Sequence, residues 1–160
     1  TSRWPFKQWL PERWAEVADR VKRDFGLEVV ISCGPDEREI EMVGQILKHA
    51  KERHLSTRGR IDLHELGWLL ERARLFLGVD TVAMHLAAAM QTPIVALFGS
   101  SSEWSWRPWQ CPHELVLGNC SCKEKRDFVC ERKNLQSYPC MEGISSETVS
   151  QAVGKILTAY

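Results

Sequence analysis

Leu75-Phe76-Leu77-Gly78-Val79-Asp80-Thr81, the alanine-rich residues 83–90 and then Pro93-Ile94-Val95-Ala96-Leu97-Phe98 form the stretch that decides the fold. Two nearly unbroken apolar runs of strand length flank a segment of helical composition. A strand buried on both faces loses the alternation of polar and apolar residues, so such runs predict a parallel sheet covered by helices on each side. Gly99 and three serines end the second run. Toward the N-terminus, Pro11, Trp14, Val17, Ala18, Val21 and Phe25 mark one helical face, with Pro11 in the first turn and Gly26 past the end. Leu27-Glu28-Val29-Val30-Ile31 then reads as a buried strand that stops at Gly34-Pro35. Ile40, Val43, Ile46, Leu47 and Ala50 recur at helical spacing, and Asp62-x-x-Glu65 has the form of a capping box. It opens a helix whose apolar face is Leu63, Leu66, Leu69, Leu70 and Ala73. Toward the C-terminus, residues 99–114 and 118–143 read as irregular. A last amphipathic helix starts near Ser145 and buries Val149, Ala152, Val153, Ile156 and Leu157. No repeat, low-complexity tract or interior linker interrupts this order. The expectation is an α/β fold in one domain over residues 1–160, a parallel sheet with helices on both faces.

The bulk composition narrows the function. At 160 residues the chain suits one ordinary domain and is small for a two-domain enzyme. Apolar residues make up 44% and charged residues 26%, the profile of a soluble globular domain. Twenty-one basic and twenty-one acidic residues cancel, so no basic surplus points to nucleic acid. No apolar run approaches the ~18 residues of a membrane span, and Thr1-Ser2-Arg3-Trp4-Pro5 is not a signal peptide.

In a doubly covered parallel sheet, ligands bind at the carboxyl ends of strands. The first such place is Gly78-Val79-Asp80-Thr81-Val82-Ala83-Met84-His85. A strand delivers Asp80 to its end, Thr81 stands where it caps the next helix, and the helix N-terminus suits a diphosphate. His85, four residues after Thr81, lies on the same face. A plain capped helix with a partly buried histidine satisfies the same spacing. The second is Thr1-Ser2-Arg3-Trp4-Pro5-Phe6-Lys7-Gln8-Trp9, with hydroxyls and cations for phosphate oxygens; a solvated basic segment with two tryptophans on the core fits equally. The third is Gly34-Pro35-Asp36-Glu37, where a carboxylate after a strand grips ribose hydroxyls or simply complements a helix dipole. No glycine-rich fingerprint supports a nicotinamide-cofactor site.

Together the S-R-x-x-x-K-x-W segment, the G-P-x-E turn, Leu63-x-x-Leu66, F-L-G-V-D-T-x-x-M-H-x-A-A-A, T-P-I-V-A-L-F-G and a W-x-P element resemble glycosyltransferase family 9, the lipopolysaccharide heptosyltransferases. The resemblance covers almost the whole chain. The T-S-R-W-P-F-K-Q-W opening, Val82 in place of a common glycine, and Trp106-Arg107-Pro108-Trp109 most resemble the heptosyltransferase III branch. It implies the Rossmann-like C-terminal half of a GT-B enzyme, holding ADP-L-glycero-D-manno-heptose, with the acceptor-binding N-terminal domain outside this chain. It also implies that Thr1, Ser2 and Lys7 meet the diphosphate, Glu37 the ribose, and Ile61 and Leu63 the adenine. Asp80 contacts the heptose, while Thr81 and the Val82 amide bind phosphate beside His85. Lys7, Asp80 and His85 are thus the expected catalytic residues, and where the diphosphate approaches the backbone closely the β-branched Val82 is expected to narrow the site or alter donor geometry. The resemblance further implies an inverting transfer to the lipopolysaccharide inner core in the cytoplasm, with peripheral contact at the inner membrane. The fragment alone is expected to be inactive, because the general base belongs to the other domain.

No D-x-D pair marks a Mg²⁺ or Mn²⁺ site, so no metal or other cofactor is expected. Two alternatives stand beside this reading: a family member using another nucleotide sugar, or a metal-binding or interaction module built on Cys120, Cys122, Cys130 and Cys140. The irregular spacing of those cysteines lacks the usual C-x₂₋₄-C pairs, and ordinary free thiols are favoured over zinc and over a disulfide or oxidised pair. Trp104, Trp106 and Trp109 admit a platform at a domain cleft or, with slight preference, core anchors for a long loop.

Overall fold

The computed structural model describes residues 1–120 and 138–160. At its centre three parallel strands, β3 (Phe76–Val79), β4 (Ile94–Phe98) and β5 (His113–Leu117), lie in the order β3-β4-β5. Val79 pairs with Leu97 and Phe98 with Leu117. β4 is buried along its whole length. Its side chains alternate between two cores, as the pleat requires. Val95 and Leu97 join Trp9, Val17, Val116, Val149 and Val153, whereas Ile94, Ala96 and Phe98 join Leu70, Met84, Ala87 and Ala88. Both faces are therefore apolar, which is why the sequence of this strand shows no polar alternation.

The first of these cores is roofed by α1 (Pro11–Phe25) and α7 (Ser146–Ala159), the second by α3 (Leu63–Glu71) and α4 (Val82–Ala89). α1 ends where expected, with Gly26 in the left-handed region at φ 65°. In α3 both halves of the capping box form: Glu65 N–H donates to Asp62 at 2.8 Å and Asp62 N–H to Glu65 at 2.9 Å. α7 is capped by Ser145, which accepts from Thr148 N–H. Trp9 is buried and donates its indole N–H to Ile144 O, and Arg13 donates to Glu142 O and Ile144 O, tying α1 to the start of α7. A separate pair of short parallel strands, β1 (Val30–Ile31) and β2 (Leu55–Ser56), flanks α2 (Glu37–His49).

Several expectations need correction. Of residues 27–31 only Val30–Ile31 is strand. The stretch taken as irregular after residue 99 holds α5 (Glu103–Trp106) and the start of β5, and α6 (Pro139–Glu142) lies in the second such stretch. Among the described residues β5 is an edge strand, and its first two positions, His113 and Glu114, are polar, so its sequence lacks the apolar continuity of β4. Trp104, Trp106 and Trp109 are exposed and do not anchor the core; nor does Trp4, which is half exposed. Among the described residues no helix is long and apolar enough to cross a membrane.

Candidate functional site

β3 ends on Val79 and hands Asp80 to the carboxyl edge of the sheet, where only 6% of the residue is exposed. Lys7 reaches it from a 3-10 turn at Pro5–Lys7, its Nζ 2.6 Å from Asp80 Oδ2 and 3.2 Å from Asp80 O. An ammonium carries three donors. Among the described residues it makes two contacts, both to Asp80, and Lys7 borders the cavity. His85 Nε2 stands 3.8 Å from the other carboxylate oxygen, Oδ1, on a half-exposed side chain. The Trp106 ring lies edge-on to the imidazole with centroids 6.2 Å apart.

Thr81 is the N-cap residue of α4, but its hydroxyl does not cap the helix. It donates instead to Val79 O at 3.4 Å, so the expected side-chain cap is corrected to a turn back onto the strand. The first N–H groups of an α-helix have no intrahelical acceptor, and at α4 they open beside the Lys7–Asp80 pair. Val82 is exposed at this mouth. The turn carrying Lys7 is held from within and without: Gln8 donates to Ser2 O, Trp4 N–H to Ser2 Oγ, and Ser100 Oγ to Phe6 O. Ser2 is buried by these contacts.

These groups line a cavity of about 1050 Å³. Thr1, Ser2, Lys7, Ile61, Leu63, Asp80, Thr81, Val82 and His85 all border it, so the structure gathers nine of the ten expected site residues. Glu37 is the exception. It is exposed in the first turn of α2, where its carboxylate complements the helix dipole. Glu39, which sequence reasoning passed over, borders the cavity instead. Its Oε2 accepts from Thr1 Oγ1 at 2.9 Å and from Gly34 N–H at 3.2 Å. Burial raises the Cys33 thiol above its ordinary range. Gly59, at φ 68°, brings its backbone against Gly34, so the loop before Ile61 sits close over the end of β1.

Of the four late cysteines, Cys122 and Cys130 lie outside the described residues; Cys120 is half-buried and Cys140 buried. Among the described residues no group of three or more His, Cys, Asp or Glu side chains is placed to hold a metal ion.

With this geometry in view, the comparisons with known proteins fall into one group. The family model for glycosyltransferase family 9 (heptosyltransferase) matches residues 1–136. Lipopolysaccharide heptosyltransferase 3 of Escherichia coli K12 is 36% identical over 110 residues, covering 68% of this chain and 32% of that protein. The crystal structure of the glycosyl transferase family 9 from Veillonella parvula superposes with a TM-score of 0.84 at 27% identity, covering all of this chain and 44% of that one. E. coli heptosyltransferase WaaC with ADP shares the fold, with a TM-score of 0.72 at 14% identity over 98% of this chain and 42% of that one. The chain thus spans about a third of the length of the E. coli relative. On the match of its family model over most of its length, the chain belongs to glycosyltransferase family 9, the heptosyltransferase family.

Proposed function

We propose that this chain is the donor-binding domain of an inverting glycosyltransferase that transfers heptose from ADP-L-glycero-D-manno-heptose to the lipopolysaccharide inner core. The observation that carries the reading is the Lys7–Asp80 pair at the carboxyl edge of the sheet, with the α4 N-terminus beside it. In such a transfer, negative charge grows on the departing nucleoside diphosphate. A preorganised ammonium and helix-terminal amides hold that charge more tightly in the transition state than in the ground state. Asp80 orients Lys7 and presents its remaining oxygen toward the sugar, while His85 borders the phosphate side. Ile61 and Leu63 offer an apolar wall for the base. Either Glu37, as the resemblance implies, or Glu39, which borders the cavity, takes the ribose; the position of Glu39 favours it.

The reading assigns the part of a metal to Lys7 and α4, and the acceptor site and general base to an N-terminal domain of the parent protein, working at the cytoplasmic face of the inner membrane. The test is a calorimetric titration of this chain with ADP, UDP and GDP. A clear preference for ADP is expected, and equal affinity for all three would sink the adenine-specific donor reading. In the parent protein, heptose transfer should survive a chelator, whereas this chain alone should turn over no donor.

A further inference from the structure

The three tryptophans that follow β4 do not share one environment. β3 and β4 are parallel neighbours, so their carboxyl ends lie side by side. The first delivers Asp80 to that edge, and the second continues through Gly99 and the serines into α5, whose last residue is Trp106. Trp104 and Trp106 are two positions apart, about 200° around a helix, so they leave α5 on opposite sides. Among the described residues of this loop, Trp106 borders the cavity and Trp104 and Trp109 do not. Trp106 N–H donates to Ser102 O and Arg107 N–H to Glu103 O, both at 3.1 Å, while Ser100 Oγ donates to Phe6 O. The indole thus stands on a turn bonded within itself and tied to the segment that carries Lys7.

What Trp106 meets there is the far end of a series of contacts. Lys7 holds Asp80 Oδ2, the other oxygen, Oδ1, lies 3.8 Å from His85 Nε2, and the imidazole meets the indole at 65°. The series runs from a cation, through two groups that bond hydroxyls, to an aromatic ring. Trp106 is 55% exposed. A lone exposed indole is ordinary on a protein surface. This one differs because it stands on the wall of a cavity beside a carboxylate and an imidazole. A pyranose ring carries hydroxyls around its edge and C–H groups on its faces. Its edge suits the carboxylate and imidazole, and a C–H face suits a flat apolar surface that has few torsions to freeze. An apolar wall beside a few placed polar groups is the usual make-up of a small-ligand site.

We infer that Trp106 packs against a C–H face of the sugar ring of the bound nucleotide sugar and is a specificity-determining residue of the site, an inference that rests on the donor-binding reading above. Trp106 touches no reacting bond. It holds the ring by one face while Asp80 and His85 meet hydroxyls at its edge, so binding energy away from the reacting centre serves to orient it. Lys7 and the start of α4 serve the phosphates, and the indole stands at the other end of the contact series. It therefore adds affinity only when a sugar is attached to the nucleotide. An acceptor sugar has the same faces and edges. The contact with His85, and through it with Asp80, assigns the indole to the donor.

The experiment titrates the chain and its variants Trp106→Ala, Trp106→Phe and Trp104→Ala with ADP and with ADP-heptose by calorimetry. Trp106→Ala should weaken ADP-heptose about tenfold, the effect of uncovering ~50 Å² of apolar surface, and leave ADP unchanged. Trp106→Phe, which keeps a flat apolar face, should lose less. Trp104→Ala, on the opposite side of α5, should alter neither ligand. Should Trp106→Ala fail to fold, Trp106→Gln, which keeps length without the flat face, carries the same expectation. Unchanged ADP-heptose affinity without the indole would overturn the inference, giving Trp106 to the acceptor or to solvent. Equal losses for ADP and ADP-heptose would overturn it as well, since the indole would then support the site as a whole. If the unsubstituted chain binds neither ligand, the donor reading fails and the inference falls with it. Binding of both, with ADP-heptose indifferent to Trp106, overturns the inference alone.

Discussion

Two aspartates in this molecule are buried almost equally, Asp19 at 5% exposed and Asp80 at 6%, and each has a histidine beside it. Their partners differ in kind. Asp19, on α1, accepts from the backbone N–H groups of Lys51 and Glu52 at 2.8 and 3.0 Å, and His54 Nε2 lies 2.9 Å away. These bonds tie α1 to the segment after α2. Asp80 takes its contacts from the Lys7 side chain, with His85 further off, and both stand on the wall of the cavity. Backbone donors cannot be withdrawn without dismantling the fold, whereas side-chain donors can turn to a ligand. Burial alone therefore does not distinguish the two carboxylates; the kind of donor each accepts from does.

The comparison breaks most sharply at Asp19. Asp19→Ala strands two backbone donors and a buried imidazole, so it should cost about 3–5 kcal/mol. For a chain of this size that is roughly a 10 °C loss in melting temperature. Binding of ADP by the folded fraction should not change. A melting temperature within a degree or two of the parent would show that the staple on α1 is ornamental.

Lys7→Ala tests the other side. It should weaken ADP binding by about 1.5–3 kcal/mol through loss of a charge-assisted contact, with a smaller stability loss than at Asp19, because Asp80 borders the cavity and can take up solvent. An unchanged dissociation constant at both low and moderate salt would return Lys7 to a purely structural partner of Asp80.

Acid sharpens the contrast. Burial by itself would raise the Asp19 carboxyl, but the bonds from Lys51, Glu52 and His54 outweigh it and hold the group below its ordinary value. The folded state then binds fewer protons than the unfolded one, so stability rises with pH across this range. The contribution is present above the ordinary aspartate value of about 3.9 and is lost as the pH falls through the lower folded value. Urea unfolding of the parent and of Asp19→Asn at several pH values should show a shallower acid-side slope in the variant. Equal slopes would mean the carboxylate is not preferentially held in the folded state.

How much of this was readable in the sequence follows from which interactions are local. The β3-α4-β4 unit was legible because a strand buried on both faces and an alanine-rich helix each leave a period, and the Asp62–Glu65 box formed as written. Asp80, Thr81 and His85 followed from strand end and helical spacing. The side of α2 that faces the cavity did not. Glu37 and Glu39 are two positions apart, about 200° around a helix, so choosing between them needs the contact with Thr1, 38 residues away. The Asp19–His54 pair, 35 residues apart, leaves no motif at all. The three exposed tryptophans misled for a different reason: a large apolar side chain predicts burial only when a neighbouring layer is present to cover it.

The smallest effects on the fold fall on Asp80 and His85, and their value lies in selectivity between ligands. Asp80→Asn keeps the shape and an oxygen to accept from Lys7, so stability should change little. Removing the negative charge frees the ammonium for the diphosphate, which should leave ADP affinity nearly intact or slightly improved, while affinity for ADP-heptose falls. His85→Ala should weaken binding of ADP itself by about 0.5–1.5 kcal/mol, the range of one ordinary hydrogen bond. Calorimetry of both variants with both ligands reads all four outcomes. Equal losses for ADP and ADP-heptose at Asp80→Asn would place Asp80 beside Asp19, as a carboxylate that holds the fold and not the sugar. Lowered melting temperatures in both variants with no ligand selectivity would do the same for His85.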